Sequence, residues 1–225
     1  MAQTPPDSAS FLRVNQRIEC GPHPRGVVPV PDDGRRHLGR LETVLHRQWP
    51  AGTRPPQRVI DNVDALANLP FHIADRIIDE VEAIHIGEGS IVDLDGLGHL
   101  RGVPTEPGDP RSQPFDRLTG IYRYGVVALG SNEHESVSLV LHEVGHVLDI
   151  ADRMMSETRE WRDLHNACLP CLEEPYWHRR HEWWAESFAL SASDAFEVLE
   201  RMLAGNTRLA YDVTRYFEYN YGVMQ

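Results

Sequence analysis

Residues 138–149 read Ser-Leu-Val-Leu-His-Glu-Val-Gly-His-Val-Leu-Asp. Val137, Val140, Leu141, Val144 and Leu148 recur at helical spacing, and Asn132 with Glu135 offers a capping box ahead of them. The pattern predicts a helix over about 133–150. Within it, His142 and His146 are four residues apart and share one face, one turn from each other. Two imidazoles so placed can grip one zinc ion, and Glu143, beside the first, can take a proton from a water activated there. Both histidines flank the apolar stripe instead of the polar side, which fits a ligand pair better than two solvated residues. Gly145 in mid-helix costs about 1 kcal/mol against Ala, so a close approach by another element is expected there.

A zinc ion held this way needs a third protein ligand and an open fourth position. Glu182 is the first candidate. It lies in His-Glu-Trp-Trp-Ala-Glu-Ser-Phe-Ala (181–189), where Glu182 and Glu186 share a helix face. One can bind metal while the other accepts a ring N–H from a ligand histidine. Asp152, six residues after His146, has the spacing of compact zinc proteases that close their site with a His or Asp. Those turn the chain at a Gly where this chain has Asp149. Glu173 or Glu174, in a Pro-flanked loop, is the third possibility. Asp149, three residues after His146, is placed to orient it.

The 225 residues suit one large domain or one domain with an extension. The net charge of −12 argues against a nucleic-acid partner, which needs a basic face. No run of 18 apolar residues predicts a membrane span. No basic stretch followed by an apolar one marks a classical signal peptide, so the expected location is cytoplasmic or reached by a non-classical export route. Three cysteines make no disulfide framework. All 22 basic residues are Arg, which excludes a phosphate-loop Lys, a Schiff-base Lys and a Ser-Lys pair.

Nine of the 16 prolines fall in the first 56 residues. Residues 1–57 therefore read as a Pro-rich arm, extended or disordered to about 37, with one short helix at 38–49. Residues 58–225 read as the main domain. Residues 58–64 alternate apolar and polar as a strand would, 69–83 show a helical stripe, and 83–86 look like a short strand. Residues 95–120 hold five glycines and four prolines, a long loop of the kind that carries function. A buried or edge strand is expected at 121–130, and helices at 156–168, 181–204 and 207–218. The balance is α+β, with a small early sheet, an active-site helix and a helical C-terminal part. Trp183 and Trp184 read as core packing. Cys168 and Cys171 with His165 make half a zinc knuckle with no second pair, and read as structural. His134 reads as solvated, and Arg179-Arg180 as a solvated charge pair.

The stretch 138–149, followed by Glu-Trp-Trp-Ala-Glu-Ser-Phe-Ala (182–189), resembles the anthrax lethal factor and Pro-Pro endopeptidase family of gluzincin-type zinc metallopeptidases. Gly-Leu-Gly-His-Leu-Arg-Gly-Val-Pro (96–104) and the Thr-Gly-Ile-Tyr…Val-Ala-Leu-Gly segment (119–130) are similar to that family too. The resemblance covers roughly 58–200. It implies a zincin-like metalloprotease domain with one zinc ion per chain, held by His142, His146 and Glu182. It makes Glu143 the general base and Glu186 the outer carboxylate. It assigns oxyanion stabilisation to a tyrosine before the ligand Glu, here Tyr176, with His178 and His181 as alternatives. The resemblance implies a sequence-selective endopeptidase. The partners expected are protein or peptide substrates of a monomeric enzyme, and the strand near 121–129, just before the active-site helix, is placed to pair with an extended substrate as an added strand. Relatives include toxins and exported proteases. Two other uses of such a site are a non-proteolytic metal-binding effector and a zinc amidohydrolase acting on a small molecule.

Overall fold

One mixed sheet of four short strands organises the domain, and its order puts a single antiparallel strand at one edge. The structure is a computed structural model and describes residues 20–108 and 112–223. β1 (Leu45–Gln48), β2 (Ala83–Gly87) and β4 (Val126–Leu129) run parallel, and β3 (Gly120–Arg123) is antiparallel to β4, in the order β1-β2-β4-β3. Register pairs Leu45 with Ile84, Ile84 with Val127, and Tyr122 with Val127.

The expected single strand at 121–130 is thus a hairpin. Tyr124 and Gly125 both take positive φ (50° and 76°), the backbone of a tight primed turn whose twist suits two paired strands. The sequence disguised it because the turn pair is Tyr-Gly instead of Asn-Gly or Asp-Gly.

Residues 58–64 form helix, not strand. α1 (Gln57–Ala67) buries Val59, Ile60, Val63 and Leu66, a stripe at spacings of one, four and seven that continues past the apparent alternation. The short helix expected at 38–49 is also absent. Gly39 sits at φ 64°, so only a 3-10 turn (Gly39–Thr43) forms before the chain enters β1. β1 belongs to the sheet, and Cys20 is buried in the main core, so residues 20–56 pack as part of the domain. Buried Arg47 helps hold them: it pairs with Glu42 at 2.8 Å and donates to the carbonyls of Gly34 and Arg36. Of the arm expected to be extended or disordered to about residue 37, residues 1–19 lie outside the described residues.

The helices run α2 (Phe71–Glu80), α3 (Leu139–Ala151), α4 (Arg159–Cys168), α5 (Arg180–Ala192), α6 (Phe196–Met202) and α7 (Thr207–Tyr221). α3 starts six residues later than expected. Ser138 is its N-cap residue, and 131–137 form a loop instead of the Asn132–Glu135 capping box. The helix expected over 181–204 breaks in two. Asp194 takes φ 52° and the Ala195 N–H reaches back to the Leu190 carbonyl, a left-handed helix ending that separates α5 from α6.

α3 packs on α5, with α1, α2 and β3 around it. Gly145 explains the closeness: a Cβ there would lie 2.7 Å from the Ala185 Cα. Trp183, Trp184 and Phe188 of α5 are completely buried, with Trp161, Phe217 and Tyr221 packed around Trp184. Both tryptophans are core, as expected. Among the described residues, no helix is long and apolar enough to cross a membrane.

Candidate metal centre and cleft

The α3–α5 crossing brings three ligand atoms together. His142 Nε2 and His146 Nε2 are 3.2 Å apart, and Glu182 Oε2 is 3.3 Å from each. Among the described residues this is the one group of His, Cys, Asp and Glu whose ligand atoms converge enough to hold a metal ion. Its shape fits the ion the pattern implies. A triangle with edges of 3.2–3.3 Å is one face of a tetrahedron, and its centre lies about 2.0 Å from each corner, the zinc–ligand distance for N and O donors.

The surroundings tune these ligands. His142 donates its Nδ1–H to Glu186 Oε2 at 2.9 Å, which turns the Nε2 lone pair to the centre. Glu186 is fully buried, and its other oxygen accepts the Val137 backbone N–H at 3.0 Å, tying the loop before α3 to α5. Burial pushes the His142 pKa down, but hydrogen bonds to Glu182 and Glu186 outweigh it and carry the value up to about 10. Burial raises Glu182 as well, yet hydrogen bonds from three histidines hold its carboxyl far below the usual range. The pocket between these carboxylates is built for positive charge.

Glu143 is buried beside the triad. Burial pushes its pKa up by more than the two imidazoles and a backbone hydrogen bond from Tyr122 pull it down. β3 approaches this carboxylate because residue 120 is Gly: a Cβ there would lie 2.8 Å from Glu143 Oε1 and 2.6 Å from a Leu139 methyl. The antiparallel edge of the sheet therefore lies directly along the triad.

Tyr176 reaches the site from a 3-10 turn (Pro175–His178), and its O–H donates to Glu182 Oε2 at 2.5 Å. Burial and the Glu182 charge push its pKa far up, so it stays a neutral donor. His178 is turned away and donates to the Leu172 carbonyl at 3.0 Å. His181 faces the cleft with Nε2 3.3 Å from Glu182 Oε1.

The other expected ligands lie elsewhere. Asp152 is engaged by Arg76 at 2.5 Å and by the Tyr221 hydroxyl at 2.8 Å. Glu173 and Glu174 are exposed. Both oxygens of Asp149 accept from Ser156, from its N–H and its hydroxyl at 2.6 Å each, so this carboxylate ties down the chain after α3. His165 donates to the Trp177 carbonyl at 3.2 Å and Cys168 is buried, a structural arrangement. His134 is half-buried, not solvated.

Two concavities, about 380 and 330 Å³, share His142, Glu143, Gly120 and Tyr176 and form one open cleft past the triad and β3. Trp177 (6.2 Å from His142, edge-on), Arg179 and Met154 border the site, and no spacing pattern announced them. A larger cavity, about 650 Å³, opens between α1 and the end of α5, and the ligand cluster is not part of it.

The architecture is a zincin-like α+β domain. Among solved structures, the chain is similar to the Pro-Pro endopeptidase PPEP-2 from Paenibacillus alvei, with a TM-score of 0.59 and 21% identity, over 79% of this chain and 98% of that one. At that identity the likeness establishes the fold. No protein-family model matches the chain, and no curated protein matches it.

Proposed function

We propose that the chain is a zinc-dependent endopeptidase. The observation that carries this reading is the triangle of His142, His146 and Glu182 ligand atoms with buried Glu143 beside it. Likeness of fold to a Pro-Pro endopeptidase supports it. Bound by the triad, zinc would supply Lewis-acid polarisation of the scissile carbonyl and activation of water at neutral pH.

The rest of the chemistry belongs to the chain. Glu143 takes the proton of the attacking water on its carboxylate and returns it to the leaving amine nitrogen; its raised pKa suits both halves of that task. Tyr176 donates its O–H to the developing oxyanion. Glu186 orients His142, and Asp149 steadies the C-terminal end of α3. An extended peptide fits an open cleft beside an antiparallel sheet edge, pairing with β3 as an added strand; a small-molecule amidohydrolase calls for a closed pocket.

A randomised peptide library tests this. The zinc-loaded chain is expected to cut it, lose activity to a chelator and regain it with zinc. Absence of cleavage by the fully loaded chain would contradict the reading.

A further inference from the structure

Two adjacent arginines open α5 and take separate paths. Arg180 pairs with Glu157, and its carbonyl accepts the Trp161 ring N–H at 3.4 Å. Arg179 has no carboxylate partner among the described residues and lines the cleft, with its guanidinium 6.0 Å from the centre of the Tyr176 ring. The helix boundary separates them: Arg179 is the residue just before α5, with extended backbone (φ −77°, ψ 118°), whereas Arg180 is the first residue inside the helix.

The root of Arg179 is fixed. Its N–H donates to the Tyr176 carbonyl at 3.2 Å, and its own carbonyl accepts the Trp183 N–H at 3.0 Å. Other charges of this arm of the cleft are already engaged: Asp149 by Ser156, and Glu182 by the histidines and Tyr176. Elsewhere in this acidic chain, Arg40, Arg76 and Arg101 each hold an aspartate. The Arg179 guanidinium thus faces this arm of the cleft with its donors free, beside half-exposed Ile150 and Met154, while Arg117 lines the other arm.

We propose that Arg179 is a specificity determinant that receives a substrate carboxylate, so that peptides carrying Glu or Asp on one side of the scissile bond are preferred. This inference rests on the peptidase reading above. A guanidinium matches a carboxylate in two parallel hydrogen bonds and repels a cation at the same place.

The test uses peptides of one cleaved sequence in which Glu or Gln is walked through three positions on each side of the bond. The zinc-loaded chain is expected to favour Glu over Gln by about tenfold in kcat/KM at a position on one side only, which corresponds to one charge-assisted contact. Arg179→Gln is expected to level the two peptides, Arg180→Gln to keep the preference, and Arg179→Glu to shift it towards Lys. Binding to the Glu143→Gln chain, read by fluorescence anisotropy, is expected to show the same Glu preference without turnover. Equal cleavage of Glu and Gln peptides by the wild type, or a preference surviving in folded Arg179→Gln, would overturn the inference while leaving the peptidase reading intact. No cleavage of any peptide by the zinc-loaded wild type would overturn both.

Discussion

The two walls of the cleft are built in different ways. The floor is the α3–α5 crossing, where His142, His146, Glu182 and Glu186 sit at four-residue spacings on two helices locked together at Gly145 and Ala185. The outer wall is made of β3, a four-residue strand paired on one side only, and the four-residue 3-10 turn that carries Tyr176 and leads into Arg179. Rigid helices set the reacting groups; short segments set what can approach them. In this account the floor holds the metal ligands and the general base, while the wall supplies the Tyr176 donor and the contacts that choose substrates, and variants in each should differ in kind.

The largest effect is expected on the floor. Glu143→Gln should keep bound zinc and lose roughly 10²–10⁴-fold in kcat, because only the proton transfer is removed. His146→Ala should lose the metal itself, read by mass spectrometry of the native protein. Equal zinc loss in both variants would erase the distinction between ligand and base.

On the wall, Tyr176→Phe should lower kcat by about 10²-fold with little change in KM, the pattern of a donor used in the transition state. A change confined to KM would make Tyr176 a binding residue. Glu186→Gln tests the layer behind the floor: it should weaken zinc affinity by about 10–100-fold, measured by chelator competition.

Gly145→Ala sharpens the packing side of the comparison. Helix propensity alone would favour Ala by about 1 kcal/mol. The new methyl meets the Ala185 backbone at 2.7 Å, a clash that rigid helices cannot relieve cheaply. A net loss of about 1–3 kcal/mol is expected in denaturant unfolding. A stabilised variant would show that the crossing is looser than described.

The smallest effect concerns the N-terminal segment. Burial raises the Glu42 pKa, but hydrogen bonds from Arg47 and from the Leu38 N–H bring it below the usual carboxylate value. A folded-state pKa that is depressed contributes stability above the unfolded pKa, about 4.3 for Glu, and loses it as pH falls through the folded value. The stability gap between wild type and Glu42→Gln should therefore narrow below about pH 4 in acid unfolding curves.

The floor was legible in the sequence because a helix turns spacing into geometry. His142 and His146 had to share a face, Glu182 and Glu186 likewise, and mid-helix Gly145 announced a close neighbour. The wall was not legible, because nothing local specifies it. Tyr124-Gly125 hid a hairpin, Gly39 broke an apolar pattern that otherwise reads as helix, and the alternation at 58–64 was a helical stripe cut short. The α5–α6 break depends on one left-handed Asp194. Arg179 and Arg180 are identical in type and adjacent, and only the point where α5 begins separates a cleft residue from an ion-paired one. Tyr176 was reachable from resemblance alone, since its contact with Glu182 depends on a 3-10 turn that no periodicity reports.

X-ray absorption at the zinc edge of the purified, zinc-loaded chain tests the metal centre most directly. The account predicts one zinc per chain with only nitrogen and oxygen neighbours, two of them imidazoles, at about 2.0–2.2 Å. Sulfur neighbours at about 2.3 Å, which would place the ion at Cys168 and Cys171, or no stoichiometric zinc, would contradict it.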